Sequence, residues 1–176
     1  LMAWLGEQPA APVAQLSQEQ RDFLGGLSRR TWAFFESHCT AQHHWLPPDN
    51  VQEYPVTVVA NRTSPTNIGL GLLANLAAYD LGYLTVAGVM SRVANTLTTL
   101  EALPRYRGHF YNWYDTETLV PLVPRYVSTV DSGNLVGHLL TLRQGLLALV
   151  DAPAVSMAVF DGLADTLSVL TLQAQP

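Results

Sequence analysis

The chain has 176 residues, 48% of them apolar and 13% charged, with a formal net charge of -5. All nine basic residues are arginines and they form no cluster, which excludes the electrostatic footprint of a nucleic-acid binder. The single cysteine, Cys39, excludes an internal disulfide and fits a reducing compartment, and no uninterrupted apolar run reaches the roughly 20 residues that span a bilayer.

The length suits one domain with a real core. So low a charged fraction implies a parent that covers part of the surface, and the sequence reads as an excised piece. Residues 1–16, with Pro9 and Pro12 and no clear periodicity, read as a linker or loosely docked arm. Residues 17–176 read as the folded part.

Ser17 with Gln20 forms a capping box and predicts a helix from Gln18 to His38, with Gly25-Gly26 as its weak point. Ser64-Pro65 starts the next helix, which runs to Gly82 and is apolar around its whole circumference, as a buried helix is. A helix over Thr85 to Leu103 keeps Val86, Val89, Met90, Val93, Leu97 and Leu100 on one face and is therefore an outer one. A second all-round apolar helix, capped by Asp131 or Ser132, reaches Val150. After the turn Asp151-Ala152-Pro153 a last outer helix extends to about Gln173.

Alternating outer and inner antiparallel helices predict an all-α fold: helical hairpins forming part of an (α/α) six-hairpin toroid. A solenoid would need a repeated motif, which is absent. Tyr54 to Val59 and Val123 to Val127 are predicted to pair as short β arms.

The two segments between outer and inner helices run longer than connectors need, and they are rich in aromatic and amide side chains. Both end at the start of an inner helix, which predicts that they share one face. The first offers Trp45, Asp49, Asn50, Gln52 and Glu53, an aromatic plate beside carboxylates and amides, as sugar sites have. Arg62, Thr63, Ser64 and Asn67 follow at the helix start. The equally open alternative is that Trp45 is a loop anchor and that Ser64, Thr66 and Asn67 merely cap the helix.

The second segment offers His109, Tyr111, Asn112, Trp113 and Asp115, and the next helix start adds Asp131 and Asn134. Glycosidic chemistry needs two carboxyl groups about 5 to 9 Å apart. Spacing in sequence selects no pair among Asp49, Glu53, Asp115 and Asp131. Cys39, His43 and His44 make only a superficial metal cluster, because adjacent histidines point apart on most backbones. His138, inside an apolar helix, is expected to be a hydrogen-bonded core residue. No metal and no cofactor is expected, and no phosphate-cradling or dinucleotide fingerprint occurs.

The motifs WLPPDNVQE, RTSPTNIGL, RGHFYNWYD and RYVSTVDSGNL, in this order, resemble the glucoamylase-like region of the bacterial cyclic β-1,2-glucan synthases. The resemblance covers Arg29 to Leu140. It implies the N-terminal part of a toroid that closes β-1,2-glucan rings by transglycosylation, in a parent that sits in the inner membrane and exposes this region to the cytoplasm. It also implies that the catalytic carboxylates lie in the later half of the toroid, so that the chain alone is inactive.

On this reading Trp45, Asp49, Asn50, Gln52 and Glu53 form one wall of a β-1,2-glucan site. Arg62, Thr63, Ser64 and Asn67 form its floor, and Tyr111, Asn112, Trp113 and Asp115 the other wall. The expected partners are the glucan, the rest of the parent polypeptide and, for the excised piece, further copies of itself. Two alternatives stay open: a structural half-ring with no activity, and a complete small glycoside hydrolase.

Overall fold

The computed structural model describes residues 15–153 and 155–174. Most of the expected arm, residues 1–14, lies outside them. Among the described residues the helices are α1 (Gln18–His38), α2 (Pro65–Asp80), α3 (Val86–Ala102), α4 (Thr129–Ala148) and α5 (Ala158–Gln173). Between them lie the short strands β1 (Val51–Gln52), β2 (Val58–Val59), β3 (Arg62–Thr63), β4 (Arg105–Tyr106), β5 (His109–Phe110) and β6 (Tyr114–Asp115).

The helix starts follow from local chemistry. Ser17 and Gln20 exchange side-chain to backbone hydrogen bonds of 3.2 and 2.9 Å, the reciprocal box expected at α1. Ser64 accepts from the Asn67 amide, with Pro65 at the first helical position. Thr85 caps α3 through the Gly88 amide. At α4 the cap is Ser128, not Asp131 or Ser132. Its Oγ accepts from the Asp131 amide and donates to the Asp131 carboxylate at 2.6 Å, so serine and aspartate close one turn together. α5 begins later than expected, after Ser156 accepts from the Ala158 amide.

Inner helices α2 and α4 pack side by side, their N-termini at the same end, where Thr66 donates to Asp131 at 2.7 Å. The close approach is made by glycine: His138 of α4 lies against Gly69 of α2, and Leu76 of α2 lies against Gly145 of α4. That packing leaves His138 Nδ1 buried without a partner, so the hydrogen bond expected of this core histidine is not made. Leu46, Ile68, Leu72, Val89, Val93, Leu100, Tyr114 and Leu142 make the centre of the core.

α1 continues unbroken through Gly25, whose bare Cα admits Asp165 of α5. The Tyr83 hydroxyl ties this crossing together, donating to Asp165 at 2.8 Å and lying 3.3 Å from the Gly25 carbonyl. Gly82, at φ 76°, turns the chain between α2 and α3 with the backbone of Ala158 pressed against it.

One expectation about burial does not hold. α4 is apolar on all sides, yet Val136, Leu140 and Leu147 are more than half exposed, because among the described residues only α2 packs along its length. The apolar stripe of α5 is likewise open at Phe160, Leu163, Leu167 and Leu170. The expected pairing of Tyr54 to Val59 with Val123 to Val127 does not form either. β1 pairs with β2, β4 with β5, and β3 with β6, all antiparallel.

Candidate functional site

The two long loops fold against each other above the N-terminal ends of α2 and α4. β3 and β6 supply the seam, with Arg62 opposite Asp115 and Thr63 opposite Tyr114. Thr116 extends it: its amide donates to the Asn61 carbonyl, and its hydroxyl and carbonyl lie 3.3 and 3.0 Å from the Nδ1 atoms of His43 and His44. The Asn61 amide also donates to Glu117 at 2.9 Å. His43 and His44 thus tie loop to loop.

Tyr114 is fully buried and pins the second loop from inside. Its hydroxyl donates to the Pro104 carbonyl at 2.7 Å and accepts from the Tyr111 amide at 2.8 Å. The first loop is held by α3, where Thr96 and Thr99 donate to the carbonyls of Trp45 and His44. Arg92 stands 5.6 Å from the Trp45 ring and 5.1 Å from that of Trp32. Trp45 therefore faces the helices as an anchor and does not stand with the wall residues.

On the open side, Asp49, Arg62, Asn67 and Trp113 come together. The Arg62 guanidinium donates to one Asp49 oxygen from Nε and Nη2, at 3.1 and 2.9 Å, and lies 4.7 Å from the Trp113 ring centroid. The Asn67 amide reaches the other Asp49 oxygen at 3.4 Å, and Asn50 donates to the carboxylate at 3.1 Å. Carboxylate, guanidinium and indole so form one stacked unit at the start of α2. The arginine side chain remains about half exposed.

Asp131 is the second hub. It accepts from Ser128 and Thr66, and Asn134 in turn donates to Thr66 at 3.1 Å. Asn112 is buried among Asp131, Tyr126 and Trp113; the amide orientation that satisfies all three neighbours has its nitrogen donating to Asp131 at 2.9 Å and its oxygen accepting from the Tyr126 hydroxyl and the Trp113 indole. Burial pushes the Asp131 carboxyl up, but hydrogen bonds from Ser128, Thr66 and Ser64 outweigh it and hold the group below the usual carboxylate range. In Asp115, too, burial acts upward and is outweighed, by the amide and hydroxyl of Thr118, the Glu117 amide and the His43 charge.

The remaining candidates scatter. Asp115 is consumed as the acceptor of the tight turn that follows it. Thr63 is fully buried and Ser64 nearly so, so both are floor only as structure, beneath the surface. Gln52 and Glu53 sit exposed on the β1–β2 hairpin, and His109 stands on the β4–β5 hairpin beside Tyr111. Thr66, Tyr126 and Thr116 join the expected site residues, and no local sequence signal marks them as part of the site. Tyr126 lies within the RYVSTVDSGNL motif, but nothing local distinguishes its hydroxyl as the partner of Asn112. No group of three or more His, Cys, Asp or Glu side chains among the described residues is arranged to hold a metal ion. No helix there is long and apolar enough to cross a membrane.

No family model matches the chain. Its fold matches a solved structure assigned as a glucoamylase from Bacteroides fragilis (TM-score 0.59, 20% identity, 94% of this chain and 37% of that one). It also matches the endo-β-1,2-glucanase of Chitinophaga pinensis, solved with sophorotriose and glucose (TM-score 0.59, 17% identity, 90% and 36%). Parallel inner helices, outer helices and long loops at one end thus define part of a glucoamylase-like α/α toroid.

Over 172 residues the chain is 42% identical to the cyclic β-(1,2)-glucan synthase NdvB of Rhizobium meliloti strain 1021, a match that takes in 96% of this chain and 6% of that protein. The chain is a homologue of one segment of a cyclic β-1,2-glucan synthase, and the likeness carried by its four motifs extends over nearly its whole length.

Proposed function

We propose that the loop face grips a β-1,2-glucan chain within a toroid that cyclises it by transglycosylation, in a membrane-associated parent. The observation that carries this reading is the Asp49–Arg62–Trp113 unit. An indole surface beside a charged pair with remaining hydrogen-bonding capacity is what a sugar ring and its hydroxyls require. Asn67 and the exposed Asn50 reach its carboxylate, and Asn134 stands at the neighbouring Asp131 hub through Thr66. The sequence relationship to a glucan synthase gives the ligand class.

Cleavage is assigned elsewhere. A glycosidic acid must hold its proton near neutral pH, whereas Asp115 and Asp131 are both held toward the ionised form and Asp49 is committed to Arg62. On this reading the face binds, and the proton donor, a role that none of these three carboxylates suits, is contributed by the rest of the toroid.

Titration of linear β-1,2-glucan should give saturable binding that Trp113→Ala and Asp49→Ala each weaken by about tenfold, or roughly 1.4 kcal/mol. Affinity unchanged in both variants would sink the reading.

A second role rests on a separate observation, the open apolar sides of α4 and α5, through which the chain docks onto further helices of a ring. With those sides uncovered, the chain should associate with itself. Sedimentation at rising concentration should show growing oligomers that Leu140→Glu with Leu163→Glu suppresses; a single monomer boundary throughout would count against it.

A further inference from the structure

Beyond the Asp49–Arg62–Trp113 unit the second loop encloses a cleft of about 400 Å³, lined by Tyr106, His109, Tyr111, Arg125, Tyr126 and Val127. We infer that this cleft is a second glucan subsite, which takes a neutral glucosyl unit of a chain already held at the first. The inference rests on the glucan-binding reading given above.

The cleft is built by local sequence. Arg107 and Gly108, both at positive φ, close the tight β4–β5 hairpin. In that hairpin Tyr106 stands directly opposite His109, so both side chains share one face of the ribbon. The hairpin is braced by cations on its aromatic rings. Arg105 lies 4.5 Å from the Phe110 ring centroid and Arg107 lies 5.4 Å from that of Tyr106. The opposite side of the cleft is the Arg125–Val127 segment. The Tyr126 carbonyl there accepts from the Asn112 amide at 2.9 Å, and the Tyr126 hydroxyl bonds the Asn112 side chain. Asn112 also contacts Asp131 and Trp113, so the two sites adjoin through one buried side chain.

Its chemistry fits a sugar. The side chains of Tyr106, His109, Tyr111 and Arg125 make no hydrogen bond to another described residue, which leaves phenol, imidazole and guanidinium groups free to meet hydroxyls. Tyr106 is 51% and Tyr126 46% exposed, more than rings that serve only as packing would be. No carboxylate lines the cleft, which disfavours a cationic ligand. The volume lies in the range of small-molecule sites.

The test is a length series: sophorotriose and longer linear β-1,2-glucans titrated into the protein and into Tyr106→Ala, Arg125→Ala and Trp113→Ala. Tyr106 and Arg125 are exposed, so their replacement leaves the fold intact, which melting curves check. We expect both cleft variants to weaken the longer glucans by about tenfold while sophorotriose binding is unchanged, and Trp113→Ala to weaken every length. Long-chain affinity unaffected in both cleft variants, with the Trp113 effect present, overturns the second subsite and leaves the first standing. No binding of any length by the unaltered protein removes both. Tighter binding of an acidic sugar than of glucose, abolished by Arg125→Ala alone, would reassign the cleft to an anionic ligand.

Discussion

Gly82→Ala should destabilise the protein by about 2–5 kcal/mol, read as a lowered urea midpoint, through positive-φ strain and overpacking together. Gly82 sits at φ 76°, and a Cβ there would run into the carbonyl of Ala158, a backbone atom that has no rotamer to change. Gly162 packs the same turn from the next turn of α5, so the chain between α2 and α3 serves as the socket for the start of α5. Gly108→Ala is the matched control. It too has positive φ, 86°, but nothing lies within 4 Å of the place a Cβ would take, so only the conformational cost of about 1–2 kcal/mol applies. Equal losses in the two variants would show that the α5 contact contributes nothing.

Asp131→Ala should cost about 2–4 kcal/mol, because Ser128, Thr66 and Asn112 lose their shared acceptor in a partly buried place. The pH dependence has a definite sign. Its carboxyl titrates lower in the folded chain than in the unfolded one, so its contribution is present above the unfolded value of about 3.9 and is lost as pH falls through the lower folded value. Asp131→Asn should therefore flatten the acid limb of the stability profile below about pH 4 while shifting the neutral region down. An acid limb identical in slope to that of the unaltered protein would mean that this carboxyl titrates alike in the folded and unfolded chain. Circular dichroism melts across that range provide the measurement.

How much of this was legible in the sequence depended on whether the cause was local. The bounds of α1 follow from a serine and a glutamine three residues apart, and those of α2 and α3 from Ser64-Pro65 and Thr85, because capping is chemistry within one turn. The start of α4 was missed by one such turn. Ser128 and Asp131 form a serine–aspartate pair at the same spacing, which competed with Asp131 itself as a cap. The strand pairings were not legible, since two-residue strands carry too little pattern to choose a partner, and Arg62 meets Asp115 only because the loops cross. Trp45 illustrates the same limit. Its sequence neighbours Pro47, Pro48 and Asp49 suggest a wall, but Thr96, Thr99 and Arg92 of α3 turn it inward, and no neighbour in sequence reports that. Convergence of Asp49, Arg62 and Trp113 required the fold, whereas their suitability for sugar did not.

The glycine contacts between α2 and α4 work as key and keyway. Gly69 receives a side chain from α4, and Gly145 receives one from α2; the notch and the projection are seven residues apart on each helix. Contacts at that spacing lie on one stripe, so both keys engage together. Sliding either helix along its axis by one turn, about 5.4 Å, would drive His138 and Leu76 against side chains instead of bare backbone. The relative height of the two helix starts is thereby indexed from below, and Thr66 meets Asp131 without freedom to drift. Any rearrangement of the loop face must come from tilting or parting the pair, because axial travel is locked.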